Sequence, residues 1–483
     1  MPAEGLVRNF NPLEILVDGQ IEAIHAASLQ VLERTGVVFE SQPALEILQR
    51  GGARVDFECR RVRIPRELAD ASCRLCPTRF TMRALNPKND LEIGGDTTYF
   101  SLFSGMRTVD LHTWETRTAT VEENHDACKI ADQLAHVHAS TSYTPYCEFV
   151  DVPPPMVLPV STWSRMKYFR KISRIGASVD SHIFEIQMAQ ALGVDVYGAC
   201  ECSPPLTFGS DAVECAIACA ENGYPVEPGC GGVMGATHPV TIAGALTAAL
   251  AECIAGIVLV QAVRPGTKVI VNSFNLPQNM RSGAPAFGAI GISLFQAAWN
   301  QIWRRLYGIP TMNGGVGPSA SKLIDYQCGY ERTLGITLSV LSGAHMINTV
   351  GGLSGELSYH PALSVLDDDV IGMLERFVRG VQVDQDTLAV DLIEETGPMP
   401  GHYLGTDHTR KWWRGEGFMP LAADLLTYGE WMSGGRKPSL QLAEERAQKL
   451  LDSYQPTLSA EKDAELDRIL EDARRHYRAK GLI

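Results

Sequence analysis

Apolar residues in this chain recur with two different periods, and the alternation between those periods organises the sequence. Residues 13–35 carry apolar positions at helical spacing up to Gly36. A second helical stretch, 41–49, runs between a capping Ser41 and the pair Gly51-Gly52. Residues 1–94 are therefore expected to form an N-terminal helical and mixed extension. From about residue 95 short β-rich runs end in Gly, Ser or Thr, and each is followed by a stretch of helical spacing. The predicted strands are 98–104, 137–144, 172–179, 206–209, 226–229, 268–274, 311–315 and 346–350. The predicted helices include 122–135, 161–171, 183–193, 211–222, 240–263, 286–307, 322–341 and 367–381. Eight alternations predict an α/β protein, a TIM (β/α)8 barrel over residues 95–395. The rival, an open doubly wound sheet, usually carries Gly-x-Gly-x-x-Gly after a strand, and no such run follows one here. Two amphipathic stretches, 439–454 and 460–477, place a C-terminal helical tail over 396–483, packing on the barrel.

Composition narrows the partners more than the fold. The 483 residues are 45% hydrophobic and 20% charged, with net charge −14, an ordinary globular mix that argues against nucleic acid as the main partner. The most apolar stretch, 245–263, contains Glu252 and Gln261 and reads as a buried helix, so no membrane association is expected. The start of the chain lacks a basic, apolar leader, which gives a cytoplasmic expectation. The 12 cysteines are irregularly spaced, and the pairs Cys73/Cys76 and Cys200/Cys202 have no second pair at zinc spacing. They are read as reduced, mostly buried side chains, with no metal site.

In a barrel the chemistry gathers at the C-terminal strand ends. The predicted ends are rich in aromatics, small residues and neutral amides, and no paired carboxylates stand among them. Glycosidase or enolase-type acid/base work is accordingly disfavoured. Phe103, Tyr143, Tyr146, Phe208 and Phe274 are candidates for an aromatic cage around a cationic ammonium group, although aromatics also dominate ordinary cores. Gly231, Gly314, Gly315 and Gly351 crowd the same ends and would leave room for a large planar ligand or another protein. His136 and His138 alternate at the start of a strand, the stability end of a barrel, and are read as structural.

Several runs together resemble the trimethylamine methyltransferase family. They are Gly235-Ala236-Thr237-His238-Pro239 continuing to Leu246, Ala251-Glu252-Cys253 continuing to Gln261, and Arg264-Pro265-Gly266. Ser321-Lys322-Leu323-Ile324-Asp325-Tyr326 continuing to Thr333, the run Val381 to Ala389, and Tyr403-Leu404 with His408-Thr409 complete the set. The resemblance spans residues from about 10 to about 455 and implies a TIM barrel with extra helices. It implies an enzyme that moves a methyl group from a methylated amine to the Co(I) corrinoid of a separate protein. It also implies no tightly bound cofactor of its own, a cognate corrinoid protein as partner, and a homo-oligomer. Archaeal trimethylamine enzymes carry pyrrolysine just before the Ser/Lys run, and by gapless register from Lys322 that position here is Pro318. The chain thus looks like the non-pyrrolysine branch, whose members act on quaternary amines such as glycine betaine, proline betaine or carnitine. Many members end strand eight in His followed by Gly-Trp-Leu-Glu-Gly-Gly-Leu; here Asn348 and Gly351-Gly352-Leu353-Ser354-Gly355-Glu356-Leu357 stand instead. Asn348, Asn313 and Arg107 are assigned to the polar end of the substrate, and Gly231, Gly314, Gly315, Gly351 and Lys322 to the corrinoid-facing mouth. No side chain is assigned a general-base role. Two other classes stay open: a betaine-binding or sensor protein on the same barrel, and a lyase or hydrolase using Cys230 as nucleophile.

Overall fold

A computed structural model describes residues 4–483. Eight parallel strands form the barrel: β1 (Thr97–Leu102), β2 (Ala139–Ser140), β3 (Ile172–Ile175), β4 (Val196–Cys202), β5 (Val226–Cys230), β6 (Val271–Ser273), β7 (Thr311–Asn313) and β8 (Met346–Val350). Each pairs with its successor, and β8 returns to β1 through Met346↔Tyr99 and Ile347↔Phe100, which closes the ring. Between the strands run α1 (Val121–Gln133), α2 (Val157–Tyr168), α3 (Ser181–Leu192), α4 (Ser210–Glu221), α5 (Ile242–Val263), α6 (Ile290–Leu306) and α7 (Tyr326–Leu341), and α8 (Pro361–Val378) follows the last strand. The predicted TIM barrel is thus the observed one.

One strand differs from the prediction. The segment expected as strand four, 206–209, lies outside the ring, and Thr207–Phe208 instead pairs with Val37–Phe39 of the N-terminal extension. The true β4 lies upstream, and its Gly198–Cys202 run pairs with Val226–Cys230.

The barrel has its own inner core. Tyr99, Ala139, Ile172, Tyr197, Ile270, Met312 and Met346, one from or just before each of seven strands, cluster with Phe80, Met82, Leu91 and Ile93. The last four come from the hairpin Phe80–Met82/Leu91–Ile93, which therefore stoppers the end where the strands begin. That leaves the opposite end free for chemistry.

The outer layer is continuous with both terminal regions. Helices Asp18–Arg34, Gln42–Arg50 and Arg66–Arg74 pack on α5. This covers the outer side of α5 and explains why it is apolar all round. By length and composition α5 is apolar enough to cross a membrane, yet 72% of its most apolar window is buried inside the protein. Helix Ser439–Ser453 packs on α8 and α1, and Ala460–Ala479 packs on α3 and α2. Residues 379–442 contrast with both: Ala422 is their one buried residue.

Candidate active site

At the C-terminal end of the strands lies a cavity of about 570 Å³, within the size range of small-molecule sites. Phe103, just beyond β1, and Phe274, just beyond β6, stack with ring centroids 6.1 Å apart and an 18° interplanar angle. Phe287 supports Phe274 edge-on at 6.2 Å. Tyr143 adds a third ring to the lining, and desolvation pushes its hydroxyl pKa up to about 12, so it stays protonated. The strands contribute Arg174, Ala199, Glu201 and Asn272, and Glu356 and Asn348 come from β8 and the loop after it.

The ionisable groups form one connected set. Arg174 Nη2 donates to Glu201, and its Nε lies 3.0 Å from Glu227 Oε2. Asn272 Nδ2 donates to Glu227 Oε1 at 2.6 Å. Burial pushes the Glu227 carboxyl up to about 7, against the pull of Arg174, with Glu201 adding to the rise. Glu356 stands in the concave mouth, where desolvation first and Glu201 second hold its carboxyl above the usual range. Asn348 Oδ1 accepts from Ser101 Oγ, which orients its amide across the barrel interior.

Two buried networks fix the loops around this cavity. Inside α5, Glu252 accepts from the Leu206 N–H at 2.9 Å and from His238 Nε2 at 3.1 Å. Asn275 stands behind His238 and accepts from the Gly232 N–H at 3.0 Å. A carboxyl in an apolar helix thus ties the loop after β4 to those after β5 and β6. Arg332 of α7 pairs with Asp367 of α8 and donates to the carbonyls of Gly317, Thr349 and Gly352. Gly317 and Gly352 lie in the loops after β7 and β8, and Thr349 lies near the end of β8 itself. Asp325 caps α7 by accepting from Cys328 N–H, and Glu331 accepts from Ser319 Oγ and Ala320 N–H.

The structure brings together Phe103, Tyr143, Phe274, Asn348, Gly231 and Gly314, all of which line the cavity. It separates the others. Phe208 is fully buried and stacks on Phe39 at 4.5 Å, because its strand belongs to the N-terminal sheet. Tyr146 packs edge-on against Tyr359 and donates to Thr108 Oγ1 at 3.4 Å. Asn313 lies between Met312, in the inner core, and Gly314, on the cavity, so the two-residue period turns it toward the helices. Both of its amide atoms are buried without a partner. Arg107 is half exposed and sits 3.9 Å from Glu148. Gly315 neighbours Leu276 and Ile292, and a side chain at Gly351 would strike Tyr359. Lys322 is exposed and donates to the Ala320 carbonyl at 2.6 Å. Pro318 is buried in the loop after β7 and does not line the cavity. His402 and His408 line a larger hollow of about 1480 Å³, formed by residues 384–408 without any barrel strand.

His136 is held by Asp368 and Glu375 at 3.1 and 3.2 Å, and His138 Nδ1 accepts from Phe100 N–H. Both are engaged structurally. Cys230 lines the cavity, but its nearest polar partners are the Asn272 carbonyl and Asn275 Oδ1 at 3.8 and 4.0 Å, and burial pushes its thiol well above its ordinary pKa. Neither partner is a base, so the arrangement does not activate a nucleophile.

The expectation that no paired carboxylates stand at the strand ends is overturned by Glu201 and Glu356, which line the cavity together, with Glu227 buried beside Arg174. Placing strand four at 206–209 hid Glu201, which was left in the connection before it. The legible signal was the apolar run Val196-Tyr197-Gly198-Ala199-Cys200 between Gly193, which ends α3, and Pro204-Pro205. Glu227 and Arg174 sat inside predicted strands, and nothing in the sequence pairs them.

A family model described as trimethylamine methyltransferase (MTTB) matches residues 1–477. A glycine betaine methyltransferase of Desulfitobacterium hafniense (strain Y51) is 32% identical over 467 residues, covering 94% of this chain and 95% of the relative. A trimethylamine methyltransferase MttB of Desulfitobacterium hafniense (strain DSM 10664 / DCB-2) is 30% identical, covering 96% and 95%. Another MttB, from Methanosarcina thermophila, is 26% identical, covering 92% and 94%. With its closed barrel, its aromatic cavity and a match along nearly its whole length, the chain belongs to the trimethylamine methyltransferase family.

Proposed function

We propose that this protein transfers a methyl group from a quaternary amine to the Co(I) corrinoid of a separate partner protein, without pyrrolysine and without a tightly bound cofactor of its own. The observation that carries the reading is the cavity, where an aromatic wall meets a surplus of carboxylates in a chain matched along its length by this family. Aromatic faces attract a poorly hydrated ammonium by about 0.5–2 kcal/mol per ring, and anionic neighbours add to it.

The chemistry suits these residues. A quaternary nitrogen has no lone pair, and its C–N bond breaks with the electron pair returning to nitrogen, so a neutral tertiary amine departs. The partner's corrinoid, as co-substrate, supplies the nucleophilic electron pair and receives the methyl group. No proton moves, so the reaction asks nothing of Glu227, whose raised carboxyl lies outside the cavity lining. The work left to the protein is orientation and exclusion of water. Phe103, Phe274 and Tyr143 would hold the ammonium, while Gly231, where an added Cβ meets open space, leaves room for the approaching macrocycle. Pro318, which the resemblance puts at the pyrrolysine position, offers no electrophile, and this supports direct transfer.

The test is spectroscopic. The protein is mixed with a reduced corrinoid protein and candidate quaternary amines, and methylation of the corrinoid is followed by absorbance. Turnover with at least one quaternary amine is expected. Binding without turnover would favour a sensor, and no response to any quaternary amine would overturn the reading.

A further inference from the structure

The charges around the cavity bear on the part of the substrate that is not the ammonium. Arg174 is the one cationic side chain among the described lining residues, and it is already engaged by Glu201 and Glu227. Glu356 also lines the cavity and has no cationic partner among the described residues. Two carboxylates of the lining, Glu201 and Glu356, therefore face one guanidinium that the buried Glu227 also holds, with no cation left free to receive an anion. A substrate carboxylate would leave water to face Glu356 and Glu201, and like-charge juxtaposition of that kind rejects a ligand.

A second observation concerns hydrogen bonding. Asn272 is buried, lines the cavity, and gives its Nδ2 to Glu227 at 2.6 Å. The carboxylate fixes which end of the amide carries the N–H groups, so the carbonyl end is known. That oxygen, Oδ1, is buried and has no donor in the protein. Gly314 keeps its approach clear, since a Cβ at that position would stand 3.0 Å from it. An acceptor left in this state is costly unless a ligand or water donates to it. A carboxylate cannot donate, whereas a hydroxyl or an amide N–H can.

We propose that the substrate is a quaternary ammonium of net positive charge whose second polar group is an uncharged hydrogen-bond donor, an alcohol or amide, and not a zwitterionic betaine. This rests on the methyltransferase reading and departs from the substrate named for the Desulfitobacterium hafniense strain Y51 relative. The aromatic rings take the trimethylammonium end, Glu356 and Glu201 favour the unbalanced positive charge, and Asn272 Oδ1 takes the donor.

The experiment compares choline, glycine betaine and tetramethylammonium by titration calorimetry on the full-length protein, with corrinoid methylation as a second readout. Choline is expected to bind at least about tenfold more tightly than glycine betaine, the equivalent of one pair of unmatched charges in a partly wet site. Glu356→Gln narrows that ratio, and Glu356→Lys shifts it toward glycine betaine. Tetramethylammonium, which has no second group, reports whether each variant keeps a folded aromatic site. Glycine betaine binding as tightly as choline in the wild type, with tetramethylammonium still bound, would overturn the inference and leave the ammonium reading standing. A ratio unmoved by both Glu356 variants would also overturn it. Failure of all three ammonium probes to bind or react would sink the ammonium reading and this inference with it.

Discussion

Arg332→Met is the substitution whose cost the structure sets most directly. Arg332 and Asp367 are each only 3% exposed, and the guanidinium satisfies both carboxylate oxygens as well as three backbone carbonyls. Methionine keeps much of the side-chain volume but leaves Asp367 charged, buried and supported by the Gly351 N–H alone, at 2.8 Å. Stranding one member of a buried pair costs about 3–5 kcal/mol. The loss of donors to the carbonyls of Gly317, Thr349 and Gly352 adds to this, at about 1–3 kcal/mol for any that stays dry. The expectation is a loss of at least about 4 kcal/mol, read by urea unfolding with tryptophan fluorescence. Asp367→Asn in the same background removes the stranded charge. The double variant is therefore expected to be more stable than the sum of the two single losses by about 1–3 kcal/mol. Because the same carbonyls fix the loops after β7 and β8, ammonium binding weakens in any variant that still folds. A loss below about 1 kcal/mol for Arg332→Met, or additivity within about 0.5 kcal/mol, would refute the view that this pair anchors the mouth.

Three further outcomes are expected. Phe274→Ala removes one face of the stacked pair and weakens quaternary-ammonium affinity by roughly 2- to 30-fold by calorimetry; unchanged affinity would remove Phe274 from the cage. Glu227, raised by burial to about 7 from an ordinary 4.5, contributes stability that is full below pH 4.5 and is lost as pH rises through 7. Glu227→Gln should flatten that part of the stability–pH curve, and an unaltered curve would show that Glu227 does not titrate there. Residues 381–437 expose Met399 (93%) and Leu404 (85%), and Leu425 shares a hollow with the exposed Met373 of α8, with Ala422 as their one buried residue. An arm so apolar and so poor in core of its own resembles half of an obligate interface, which a permanently available second copy of the chain supplies better than a shuttling partner. Light scattering is expected to report a homo-oligomer at micromolar concentration, and a monomer would count against it.

The periodicity of apolar positions determined the architecture, because each barrel strand is buried on both faces and most of the surrounding helices on one, and both patterns are local. Seven of the eight strands were legible for that reason, along with the last two helices of the tail. Phe103, Tyr143, Phe274 and Asn348 were legible as lining the cavity because they end strands or follow them closely, and strand ends converge in any barrel. Tertiary structure decided what local pattern could not. Thr207–Phe208 has the composition of a barrel strand, but its partner is Val37–Phe39, some 170 residues away, and long-range pairing leaves no mark on either segment. Asn313 and Asn272 look alike in sequence; a shift of one residue on a pleated strand turns the first toward the helices and the second into the cavity. α5 is apolar all round because three helices of the extension cover it, a fact of packing that composition alone cannot separate from a membrane span. The charge of the cavity depended on tertiary structure most of all. Glu201, Glu227, Arg174 and Glu356 come from three strands and a loop, and only closure of the barrel brings them within reach of one another, because electrostatic interaction follows distance in space and not separation along the chain.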